Sequence, residues 1–171
     1  GRYPSEFVYN EGTHDDSVKT FLGESGRFNG EDIIDIIVKQ QATARFISRH
    51  MYNFFVADEP QVPAWHELPP QDPDAIDMMV DAYFESGGSI RSMLRVMFNS
   101  DFFKEARFQR VRSPAELIAN TVILNGQHRD PYEFGIRFLL DGARAMGQEL
   151  LNPPTVEGWH TGQEWIDGGT L

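Results

Sequence analysis

Between residues 72 and 98 the apolar side chains recur at the spacing of a helix. Ile76, Met79, Val80, Tyr83 and Phe84 stand at i, i+3, i+4, i+7 and i+8, and Ile90, Met93, Leu94, Met97 and Phe98 repeat the pattern after Gly87-Gly88. A 3.6-residue period puts one apolar stripe along each helix, whereas a half-buried strand would alternate every second residue. Asp72-Pro73 supplies the start, a capping carboxylate followed by a proline whose missing N–H would have had no partner anyway. The paired glycines supply the stop, because glycine accepts the left-handed geometry of a helix end. The spacing therefore predicts a tight helical hairpin.

The same signals recur along the chain. Asn29-Gly30-Glu31-Asp32 opens a helix whose buried stripe is Ile33, Ile36 and Ile37, with Asn29 as the cap. A second helix runs through TARFISRHMYNFFV, with Ile47, Met51, Phe54 and Phe55 at i, i+4, i+7 and i+8. Ser113-Pro114-Ala115-Glu116 and Asp130-Pro131-Tyr132-Glu133 have the form of capping boxes. Their helices carry Leu117, Ile118, Thr121, Val122 and Leu124, then Ile136, Leu139, Leu140 and Ala143, and Asn152-Pro153-Pro154 closes the second. Residues 57–73 hold five prolines, which block helix and central strand alike and predict a surface loop that can be shortened at little cost.

The expected fold is all-α: an irregular bundle of about six helices with long loops. Residues 1–30 show no period and read as an irregular N-terminal arm, 31–151 as the helical core, and 152–171 as a Trp-bearing tail packed on it. Together they form one domain. A chain of 171 residues that is 40% hydrophobic can bury such a core without disulfides or metals. Its formal net charge of -11 repels phosphate backbones, so nucleic acid is not an expected partner. The longest apolar runs are too short to span a bilayer. With no cysteine, disulfides, thiolate nucleophiles and Cys-ligated zinc are excluded, and the compartment stays open. No cofactor signature is present: GxSxG, the P-loop and GxGxxG are all missing.

Several local patterns carry chemistry, each beside a plainer reading. His14-Asp15-Asp16 places an imidazole and two carboxylates within three residues, groups that bind divalent cations or move protons. The plainer reading, which the absence of a second ligand cluster favours, makes Asp15 or Asp16 a turn cap, with His14 hydrogen-bonded locally and Lys19 paired to an acid. No tight transition-metal site is expected. His50, between Phe46 and Phe54, suits a satisfied core position better than a ligand. Arg45, Arg49, Arg91 and Arg95 form two i, i+4 pairs, an anion-binding face or, more commonly, a solvated surface. Met51, Met78, Met79, Met93 and Met97 fall in predicted helices and read as core filler.

The most unusual stretch is Gly158-Trp159-His160-Thr161-Gly162-Gln163-Glu164-Trp165. Indoles beside an imidazole and an acid suit a binding site, with Trp159, His160, Glu164 and Trp165 as the candidate residues. Alternatively both indoles fold back on the core, which predicts Trp159 largely buried beside the helix of residues 133–150. Trp65-His66 in the proline loop poses the same choice.

Taken together, HDDSVKTFLG, TARFISRHMYNFFV, YFESGGSIRSMLRVMFNSDFF, VRSPAELI and GQELLNPPTVEGWHTGQEW occur in an order that resembles the bacterial family called domain of unknown function 1800. Ser17 stands where that family commonly has glycine and His50 where it commonly has lysine. The resemblance implies a helical protein, often exported to the periplasm or cell envelope, with no established reaction and no catalytic residues to carry over. Family members are longer, so the chain is expected to correspond to their C-terminal half. The function expected is a non-enzymatic helical module that binds a partner protein or polysaccharide. The alternative is a hydrolase-like or metal-assisted enzyme completed by a preceding N-terminal half, to which His14, Asp15 and Asp16 would contribute.

Overall fold

The computed structural model describes residues 7–129, 135–156 and 158–166. The chain gathers into two compact units, divided between Ala44 and Arg45. The described residues form seven α-helices, one two-stranded sheet and a few single 3-10 turns, an irregular helical bundle. No helix among them is long and apolar enough to cross a membrane.

In the first unit the arm is more ordered than its composition suggests. β1 (Lys19–Phe21) and β2 (Glu24–Gly26) pair antiparallel, with Thr20 opposite Ser25. The two hydroxyls of that pair lie 2.9 Å apart. Leu22 and Gly23 make the two-residue turn with φ of 47° and 89°. Both positions of such a turn need positive φ, which matches the right-handed strand twist, and leucine is a costly occupant of the first. Strands of three residues are too short for an alternating pattern to register, which is why the sequence showed none.

α1 (Gly30–Val38) follows with its expected cap. The Asn29 carboxamide accepts from the N–H groups of Glu31 and Asp32, and Asp32 accepts the Asn29 N–H at 2.9 Å. Ile36 is buried, but Ile37 is exposed, so the apolar stripe is narrower than its spacing implied. α2 (Gln41–Phe55) begins in this unit and continues into the next.

In the second unit, α3 (Pro73–Glu85) and α4 (Ile90–Asn99) form the predicted hairpin. Asp72 accepts the Ala75 N–H at 3.0 Å, and Gly87 and Gly88 both take positive φ, with Gly88 N–H donating to the Tyr83 carbonyl. Ile76, Met79, Val80, Tyr83, Met93 and Met97 are buried and make the centre of the core with Tyr52 and Val56. Met78, read as core filler, is instead exposed on α3. Ser100 ends α4 and caps the short α5 (Asp101–Glu105), which lies beyond the residues that the helical spacing covered.

α6 (Pro114–Leu124) packs on α7 (Gly135–Ala145). The capping box is formed: Ser113 Oγ accepts the Glu116 N–H, and the Glu116 carboxylate accepts the Ser113 N–H at 2.9 Å. Ile118, Val122 and Ala143 are buried between the two helices, and a methyl on Gly142 would collide with Ile118 Cδ1. Leu117, Leu124, Ile136 and Leu140 face outward, so half of the predicted apolar positions here lie outside the core. The second box, Asp130 to Glu133, lies outside the described residues.

Candidate functional site: an aromatic cleft

α2 carries two faces that spacing alone could not rank. The face that packs inward is Ser48, Arg49 and Tyr52, all nearly inaccessible. The face with the apolar spacing is left partly open: Phe54 is 58% exposed and Phe55 39%, Ile47 and Met51 are partly covered, and Phe46 beside them is 51% exposed. A polar face wins the interior because Arg49 finds a complete set of partners there.

Its guanidinium donates to Glu59 at 2.9 and 2.6 Å, to the carbonyls of Leu68 and Pro69 at 2.8 and 3.0 Å, and more weakly to that of Trp65. The Glu59 side chain is wholly buried, and its second oxygen accepts the Gln71 N–H at 2.9 Å. Arg49 also lies over the Trp65 ring, 4.7 Å from its centroid. A buried charge is tolerable only when paired and fully hydrogen-bonded, and the proline loop supplies the carbonyls that make it so. Two expectations are corrected by this. Arg49 is not part of a solvated surface pair, and the loop of residues 57–73 is not a detachable excursion, since it wraps a buried cation. Arg45 pairs with Asp77, while Arg91 and Arg95 remain exposed.

The open face of α2 forms one wall of a cleft of about 940 Å³. Phe46, Ile47, Met51, Phe54 and Phe55 line it from the helix, and Trp159 and Trp165 line it from the tail. The tail is brought there by three contacts. Gln61 of the proline loop donates to Thr161 Oγ1 at 2.7 Å and to Glu164 at 2.9 Å. Gly162 lies against Asp58, so closely that a Cβ would sit 2.8 Å from the Asp58 carboxyl carbon, and its φ of +56° disfavours a side chain independently. Asp58 is itself fixed, accepting the Val111 N–H at 2.8 Å.

Of the candidate binding residues, Trp159, His160 and Trp165 line the cleft, and Glu164 stands behind them, 3.4 Å from His160 and bonded to Gln61. Trp159 is mostly covered without being fully buried, and the space it borders is the cleft it shares with α2. His160 meets the Trp165 ring edge-on at 5.9 Å.

His50 also lines the cleft from α2, 4.4 Å from the Phe46 ring and 4.6 Å from that of Trp65. It is an exposed residue, not a core one, yet desolvation by these rings lowers its pKa from the usual 6.5. Glu116 is subject to opposing effects: burial raises its pKa, and the hydrogen bonds from Arg110 and Ser113 outweigh this and leave it lowered. Arg110 reaches both Glu116 oxygens at 2.8 and 3.1 Å and lies 5.3 Å from the Phe54 centroid.

The three sequence-local candidates for a metal sit in the first unit. His14 Nδ1 is 2.8 Å from Asp16, and Asp15 accepts from the N–H and hydroxyl of Ser17 at 2.9 and 3.0 Å, which hold its carboxyl below the usual range. Lys19 pairs with Asp15 at 3.7 Å. Each group thus has a local partner, and no cluster of three His, Asp or Glu ligands forms among the described residues.

Sequence reasoning missed the cleft's other wall. Asp58 and Arg110 gave no motif, Phe46 entered only as a neighbour of His50, and the one available signal was that α2 carries large apolar residues over more than half of its circumference, wider than one buried stripe needs. A family model described as Protein of unknown function (DUF1800) matches residues 1–171. Comparison with curated proteins and with solved structures gave no match.

Proposed function

We propose, for a chain that belongs to the DUF1800 family of proteins of unknown function, that the aromatic cleft is a docking site for apolar side chains of a partner protein. The observation that carries the reading is how the cleft's polar groups are used. Asn53 accepts the Glu59 N–H, Asp58 that of Val111, Gln148 that of Ala115, and Glu116 is held by Arg110 and Ser113. What is left facing the space is mostly rings and aliphatic chains, with the two imidazoles and the second Asp58 oxygen among them. A polysaccharide brings more hydroxyls than the lining has uncommitted polar atoms, and those it buried against the rings would lose their hydrogen bonds. Apolar side chains carry no such cost, and Trp, Phe and Met are typical of interface centres. The partner belongs in the cell envelope on this reading, since the family resemblance implies export.

The test replaces Phe54 with the photoreactive p-benzoylphenylalanine and crosslinks in an extract of the source cells. The expected outcome is one protein adduct, whose purified partner then binds wild-type chain in calorimetry and loses at least tenfold affinity to Phe55→Asp. Leu124→Asp, on an exposed position outside the lining, leaves binding unchanged. Binding of a purified envelope polysaccharide that is lost on Trp165→Ala, with no protein adduct, would overturn the reading.

A further inference from the structure

The charges around the cleft do not balance locally. Arg110 is matched by Glu116 through two hydrogen bonds, and the nearest ionic partner of His160 is Glu164. His50 is held toward its neutral form by the rings around it. Asp58 is the remaining ionisable group on the lining. Among the described residues no cation stands within 4 Å of its carboxylate, which accepts the Val111 N–H at 2.8 Å.

A partly buried carboxylate at one edge of a ring-lined space is the arrangement that receives an organic cation: the aromatic faces attract positive charge, and the carboxylate completes the pairing. Phe54 already accommodates one cation on this wall, since Arg110 lies over it. The whole chain, at a net charge of -11, draws basic partners by the same sign of field. We infer that the partner's docking segment is basic as well as apolar, and places a lysine side chain in the cleft with its ammonium group at Asp58 and its methylene stem along Phe54, Trp159 and Trp165. This rests on the docking reading above and adds the charge that selects the partner. Without the cation, the carboxylate would be covered by an apolar segment and lose water with nothing in return, so Asp58 discriminates against neutral segments of equal size.

The experiment uses three probes of one length on the full chain: hexylammonium, a mimic of the lysine stem and head, with hexanol and hexanoate. Binding is followed by NMR shifts of the Trp159 and Trp165 indole N–H groups. Hexylammonium is expected to bind about tenfold more tightly than hexanol, and hexanoate more weakly than either. Asp58→Asn keeps an acceptor for the Val111 N–H and should remove the difference between ammonium and alcohol. If that variant does not fold, the wild-type chain still decides, because affinity for hexylammonium must fall as salt rises while that for hexanol does not. Equal binding of all three probes with no salt dependence overturns the cation and leaves the apolar docking site standing. Failure of every probe to move either indole signal removes both.

Discussion

Arg49 shows how much one side chain can decide. It gives the interior of α2 a charge, and that charge is stable only because Glu59 and the carbonyls of Leu68 and Pro69 surround it. Removing one member of a buried pair leaves the other unmatched, which costs about 3–5 kcal/mol. Arg49→Met is therefore expected to lower stability to urea by about that amount, and adding Glu59→Leu should restore part of the loss. An additive double variant would show that the two charges are not coupled. His50 and Glu116 contribute to the response to acid. Both have pKa values lowered in the fold, so the unfolded chain binds their protons more readily and stability rises with pH. The contribution of His50 is complete above its ordinary 6.5 and lost as pH falls below it, and that of Glu116 is complete above 4.5 and lost below. Urea midpoints measured from pH 7.5 down to 3.5 should fall in two stages, with His50→Gln removing the first.

At the scale of elements, sequence signals worked where the cause was local. The caps at Asn29, Asp72 and Ser113 and the stop at Gly87-Gly88 each depend on a few consecutive residues, and each is formed as its sequence predicts. The hairpin of β1 and β2 lay below that threshold, and its turn is a place where the sequence opposes the structure. Leu22 holds a φ of 47°, which a leucine adopts at a cost of roughly 1–2 kcal/mol and an asparagine more readily. Leu22→Asn should stabilise the first unit by about 0.5–1 kcal/mol, seen as slower amide exchange across Thr20 and Ser25. Faster exchange would show that the leucine side chain contributes more than the turn costs. The proline loop illustrates the opposite case: five prolines correctly ruled out regular structure, yet could not show that its carbonyls ring a guanidinium.

For the molecule as a whole, the candidate site depends on α2, the loop around Asp58 and Gln61 that follows it, and the tail from 158 to 166, about 100 positions further on. Gly162 is where they come closest. Gly162→Ala places a methyl against Asp58 and a side chain at positive φ, so it should shift the tail outward and weaken probe binding in the cleft, with a stability loss of about 1–2 kcal/mol. Unchanged indole NMR shifts in that variant would mean that the tail is positioned by Gln61 alone. The amino-acid sequence determined the helical class, the capped ends, the hairpin of α3 and α4 and the unusual character of the Trp159 to Trp165 stretch, because periodicity and capping act over a few residues. It also determined the family, through five ordered motifs. Only the tertiary structure decided which face of α2 is buried. Apolar spacing marks a face that gains by leaving water, but whether core, tail or partner covers it depends on residues 10 to 100 positions away. Glu59 and the loop carbonyls claimed the polar face for the interior, and the apolar face was left to form the cleft.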